Sequence, residues 1–217
     1  MKSQIFQVIS IVAIIAYFVP IVIVLLKKQQ KITPFLLFAL YWLLGGIINL
    51  IDFIPVPKPA VELVTVIYNS LDIPILLSII HFTTVSVPIR KFTRLVVPVF
   101  TAFELVNLLV LGLNYDALKY SLGVGLILVL VVVMWEVVLY LQKIKHTGLE
   151  KGLFFIYAAL LFEYGTFVII YIFDYYLEGA STTMDNFMVY YISSLVALVI
   201  ATCGFLTKGV SHRTRFL

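Results

Sequence analysis

Six acidic side chains interrupt long apolar stretches of this 217-residue chain: Asp52, Asp72, Glu104, Glu136, Glu163 and Asp174. The segment from Tyr68 to His81, YNSLDIPILLSIIH, shows the pattern most plainly, with Asp72, Pro74 and His81 among aliphatic neighbours. A charged group near the centre of a bilayer costs about 3 kcal/mol on insertion scales, so such residues are expected to face a cavity or a partner. Carboxyls in that position can hold a proton, bind a cation or, in pairs, act as general acid and base. No Lys or Arg stands within the same stretches to neutralise them, which favours bound protons or cations.

Helical spacing sorts these residues onto faces. Trp42, Gly45, Asn49 and Asp52 follow steps of three and four and form one stripe. Asn69 and Asp72 are three apart, and Thr101, Glu104 and Asn107 make a continuous polar face expected to look inward. Glu163, Thr166 and Asp174 share a side, since eleven residues complete about three turns. The expected ligand- or ion-binding set is Glu104 first, then Glu163 and Asp72, with Asn107 orienting the ligand and Asn69, Asn49, Asp52 and Asp174 nearer the outer surface. His81 and Glu136 lie towards the opposite side and are expected to relay a proton or close that side. Nine residues separate His81 from Asp72, which at about 100° per residue sets them on opposite sides of α-helix. The spacing of the acids specifies no particular metal.

These residues must be positioned by membrane helices. The chain is 63% hydrophobic and 12% charged, against about 25% charged residues in soluble domains, and its mean hydropathy is +1.13. A soluble domain is excluded. Nucleic acid is not an expected partner despite a pI near 9.1, because the basic residues sit between apolar runs instead of gathering on one face. Spans of about 20 apolar residues cross a bilayer, and seven are expected: Gln4–Leu26, Thr33–Ile54, Glu62–Pro88, one from after Arg94 to around Gly112 and Asn114, Leu118–Gln142, Gly152–Leu177 and Met184–Leu206. The fold expected is thus all-α, residues 1–217 forming a single seven-helix transmembrane domain. With the amino terminus outside, twelve Lys and Arg fall on the inner side, Lys27, Lys28, Lys31, Arg90, Lys91 and Arg94 among them, and only Lys2, Lys58 and Lys119 on the outer. That asymmetry predicts an external amino terminus and a cytoplasmic carboxyl terminus in the plasma membrane. The first span has too long an apolar run for a secretory signal and is expected to be retained. Cys203 stands alone, so neither an intrachain disulfide nor a thiolate cluster is expected.

In outline alone, seven spans with an external amino terminus resemble microbial rhodopsins, which hold retinal through a lysine in the middle of the last helix. Here the last span carries only Lys208, at its cytoplasmic end, so covalent retinal is not expected. The outline also resembles small sugar transporters built of two three-helix units around a linker helix, but the Pro-Gln dipeptide of their relatives does not occur. Seven-span zinc hydrolases need several membrane histidines, and His81 alone cannot supply them. The function expected is transport of a small solute, cation or proton through an acidic midplane cavity. The alternative is a seven-helix sensor that binds a small ligand from outside and signals through a cytoplasmic partner protein. An intramembrane enzyme ranks below both, because no recognised catalytic spacing supports it.

Overall fold

Hydrophobic runs of this length have one low-energy solution in lipid, the α-helix, which satisfies its backbone hydrogen bonds internally. The computed structural model describes residues 2–177 and 183–207, with side chains at 2–3, 52, 115–116 and 183–185 outside that description. Among the described residues every regular element is helical: α1 (Lys2–Tyr17), α2 (Val19–Leu26), α3 (Thr33–Asn49), α4 (Lys58–Thr83), α5 (Val87–Leu111), α6 (Tyr115–Leu141), α7 (Gly148–Tyr175) and α8 (Thr183–Leu206), with a 3-10 turn at Leu50–Phe53. Six stretches are long and apolar enough to cross a membrane; α3, with 17 residues, is a shorter apolar helix.

Helix starts follow local chemistry. Pro20, Pro34, Pro59 and Pro88 each sit in a first turn, where the missing N–H costs nothing. Asn114 caps α6 by accepting from the Ala117 N–H at 2.9 Å. Thr147 and Glu150 form a reciprocal capping box at the start of α7. At the other end of the chain Lys27 Nζ donates to the Leu206 carbonyl at 2.7 Å and the Thr207 carbonyl at 3.2 Å. A basic residue read from sequence as a topology signal thus also satisfies the last carbonyls of α8.

Two boundaries differ from the sequence expectation. The first apolar run is not one helix but α1 and α2, broken at Phe18 where Pro20 cannot continue the hydrogen-bond ladder. The second ends at Asn49, whose side chain donates to the Gly45 carbonyl at 2.8 Å, and the chain tightens into the 3-10 turn before Pro55 and Pro57. Beside the break at Phe18 α3 packs tightly: a Cβ on Gly46 would lie 2.8 Å from Tyr17 Cβ. Packing runs from α4 to α3, from α3 to α1 and α2, from these to α8, then to α7 and α6, with α6 returning to α4. The core fills this ring with Phe38, Trp42, Leu76, Leu77, Leu160 and Phe205. Helix α5 touches α4 and α6 and lies outside it; only 11% of its most apolar stretch is buried, against 33% or more in the other five.

Candidate functional site

The stripe on α3 reaches its destination because α1 breaks beside it. Trp42, Gly45 and Asn49 line a cavity of about 440 Å³ at one end of the ring, together with Tyr17 of α1, Tyr68, Asn69 and Asp72 of α4, Glu163, Phe167 and Asp174 of α7, and Tyr190 of α8. Among the described lining residues the charged groups are acids, with no Lys, Arg or His.

The two deeper acids are held differently. The Tyr41 hydroxyl donates to Asp72 Oδ1 at 2.9 Å, the Tyr164 hydroxyl donates to Oδ2 at 2.6 Å, and the two phenol oxygens are 2.8 Å apart. An ionised Asp72 engages both phenol protons and leaves the phenol–phenol contact without one. A single added proton closes a ring of three hydrogen bonds with no change of partners. Glu163 has looser company: Oε1 accepts from the Tyr17 hydroxyl at 3.5 Å and Oε2 from Trp42 Nε1–H at 3.4 Å. Hydrogen bonds of ordinary strength are nearer 2.9 Å, and a carboxylate has about four acceptor positions. The Tyr17 hydroxyl is better placed to donate to Ser194 Oγ at 2.9 Å. Glu163 is 3% exposed, so its spare acceptor capacity faces the cavity and not bulk water.

Further up the cavity wall, Asn49 Nδ2 reaches the Tyr190 hydroxyl at 3.3 Å, and Asn186 Nδ2 donates to Asp174 Oδ1. Asn69 lines the same wall. Asp52 lies in the 3-10 turn, and its side chain is outside the described ones.

Four of the expected residues stand elsewhere. Glu104 on α5 is 3% exposed but does not line the cavity; both its carboxyl oxygens lack a hydrogen bond of ordinary geometry, with Ser121 of α6 as polar neighbour. Asn107, one turn on, donates to the Ala117 carbonyl and to Ser121 Oγ at 3.4 Å, so it joins α5 to α6. His81 Nδ1 lies 3.0 Å from Thr93 Oγ1, a contact between α4 and α5.

Glu136 belongs to a second cavity of about 430 Å³, lined by Thr83, Thr84, Tyr140, Lys143, Glu150 and Tyr157 among others. It is 8% exposed, and its Oε1 has no hydrogen-bond partner. A Lys143–Glu150 ion pair of 2.6 Å stands at this cavity's edge. The two cavities use opposite ends of the same helices: Asp72 against Thr83 on α4, Leu126 against Glu136 on α6, Glu163 against Tyr157 on α7. On α7 the six-residue step amounts to about 9 Å of rise. Aromatic contacts fill the gap, Tyr157 to Phe38 at 5.7 Å and Phe38 to Trp42 at 6.4 Å between ring centres.

Sequence reasoning missed the tyrosines of this site. Tyr41, Tyr68 and Tyr164 each stand one to four residues from a residue singled out by its charge or spacing, and that proximity was the available signal. No protein-family model, curated protein sequence or solved structure matches the chain. Its class therefore rests on composition and geometry: an all-helical membrane protein, with six candidate spans and a shorter apolar helix, built around an acidic cavity walled by aromatic rings.

Proposed function

We propose that this protein is a seven-span carrier of a small solute, with its amino terminus outside and its carboxyl terminus in the cytoplasm of the plasma membrane. The observation that supports this most is the pair of cavities at opposite ends of α4, α6 and α7, separated by the Tyr157–Phe38–Trp42 contacts. A carrier needs a solute site that opens to one side at a time, with a thin barrier between. The solute site in this reading is the acidic cavity, with Glu163 as the group that meets the solute and Asp72, held by Tyr41 and Tyr164, as the group that takes up a coupling proton. Asn49, Asn69 and Asp174 form its approach, and Glu136 receives the solute or proton on the far side.

The test is current in proteoliposomes on a solid-supported membrane, during rapid application of organic cations, amino acids and sugars. The expected result is a saturable current for one class of solute, absent in empty liposomes and in Glu163→Gln. A folded protein that gives neither current nor tracer uptake with any of them is not a carrier of these solutes. If it still binds one of them, the sensor reading takes its place.

A further inference from the structure

The lining of the acidic cavity also bears on what it admits. Three acids, Asp72, Glu163 and Asp174, meet no cationic side chain among the described lining residues, so the complement of the cavity is positive. A bare metal ion fits this chemistry poorly. Among the described residues there is no group of three or more His, Cys, Asp or Glu able to hold a metal. The groups turned to the two deeper acids are donors, two phenols on Asp72 and an indole N–H on Glu163, where a metal needs lone pairs. The volume of about 440 Å³ is also in the range of organic ligand sites and far above that of one ion. Beside aliphatic residues such as Leu122, Leu126 and Ile170, the walls carry aromatic rings: Tyr17, Trp42, Tyr68, Phe167 and Tyr190. Ring faces attract a cation within about 6 Å and prefer one that is weakly hydrated and carries apolar substituents.

We infer that the cavity binds a small organic ammonium ion, its nitrogen beside the Glu163 carboxylate and the Trp42 and Tyr17 rings, and its apolar body among Tyr68, Phe167 and Tyr190. The inference rests on the reading of this cavity as the solute site. Glu163 supplies the charge partner because its hydrogen bonds, at 3.4 and 3.5 Å with Ser194 as a further polar neighbour, leave an acceptor position open, whereas Asp72 is already held by Tyr41 and Tyr164, with Tyr68 beside it. An anionic solute would meet like charges from Asp72, Glu163 and Asp174 here, and a neutral one would leave an ionised Glu163 without a counter-charge.

Trp42 reports on the test directly. The chain has two tryptophans, and Trp135 lies away from the cavity beside Phe92, so Trp135→Phe leaves Trp42 as the sole indole. Purified protein in detergent, where no flux is involved, is titrated with choline, with 2-phenylethylammonium and with 3,3-dimethylbutan-1-ol, the uncharged isostere of choline. The expected result is a saturable change in Trp42 emission with at least one ammonium ion, at a concentration tenfold or more below any response to the alcohol. Glu163→Gln, in the same background, should weaken that binding at least tenfold. Asp72→Asn serves as the second variant if Glu163→Gln does not elute as a folded species, with a smaller loss expected. The inference is overturned if neither ammonium ion saturates, if the alcohol binds as well as choline, or if folded carboxylate variants bind unchanged. Binding that passes this test with neither current nor tracer uptake in proteoliposomes would sink the carrier reading and leave the ligand class standing.

Discussion

Glu104 and Glu163 are equally buried, at 3% exposure, and yet their chemistry is opposite. Glu163 has Tyr17 and Trp42 as donors and a cavity in front of it; Glu104 has no cavity and no hydrogen bond of ordinary geometry, and stands beside Ser121 of α6. A buried polar group without partners costs about 1–3 kcal/mol, and an apolar replacement of similar length removes that cost. Glu104→Met is therefore expected to be as stable as the parent or more so, by up to about 3 kcal/mol, with an unfolding midpoint no lower, and to bind choline unchanged. Glu163→Met should abolish binding. Thermal unfolding followed by tryptophan emission, with and without choline, separates the two. A marked drop in the midpoint for Glu104→Met would show that Glu104 holds a stabilising proton or ion of its own.

Among the elements, α7 and α8 make the closest crossing that the glycines permit. A Cβ on Gly204 would come within 2.6 Å of the Gly152 carbonyl oxygen, and one on Gly152 within 2.9 Å of the Gly204 carbonyl oxygen. Both obstacles are backbone, so an added methyl must push the helices apart, at a cost of about 1–3 kcal/mol. Gly165, on the same α7, has nothing within 4 Å of its Cβ position. There the change to Ala gains helix propensity of up to about 1 kcal/mol. Gly152→Ala and Gly204→Ala should thus lower the unfolding midpoint, and Gly165→Ala should hold or raise it. Equal behaviour of all three in thermal unfolding would mean that the crossing is looser than these contacts. The same elements mark how far the sequence could be read. Apolar runs and three-and-four steps located the spans and the Trp42–Gly45–Asn49 stripe, because both depend on residues within one helix. The position of α5 outside the ring did not follow, since periodicity fixes a face and not the neighbour it meets. That is why Glu104, with the cleanest spacing of all, lies away from the cavity. Tyr17, Tyr41 and Tyr164 escaped attention because a tyrosine ring is apolar enough to fill a span, while its hydroxyl acts only once a partner from another helix arrives.

At the scale of the whole molecule, charge asymmetry and the two cavities lead to linked expectations about sidedness. The proposed orientation, drawn from twelve basic residues against three, sets the Lys143–Lys145 segment inside and Lys58 outside. With Cys203 first replaced by Ala, a cysteine at Lys58 should react with an impermeant maleimide on intact cells, and one at Lys145 only after permeabilisation. The reverse pattern would invert the proposed orientation. Cysteines at Val61 and Ser86, which line the first and second cavity respectively, then ask whether the cavities communicate. A ligand that merely occupies the first should slow labelling at Val61 and leave Ser86 as it was. In a carrier the occupied state must also reach the conformation that opens the other side, because a ligand shifts an equilibrium only towards states it binds. Choline, or whichever ammonium ion binds more tightly, should therefore slow labelling at Val61 and speed it at Ser86 in the same purified protein. Protection at Val61 with no change at Ser86 would describe a receptor pocket, and the barrier of Tyr157, Phe38 and Trp42 would then be a permanent floor and not a gate.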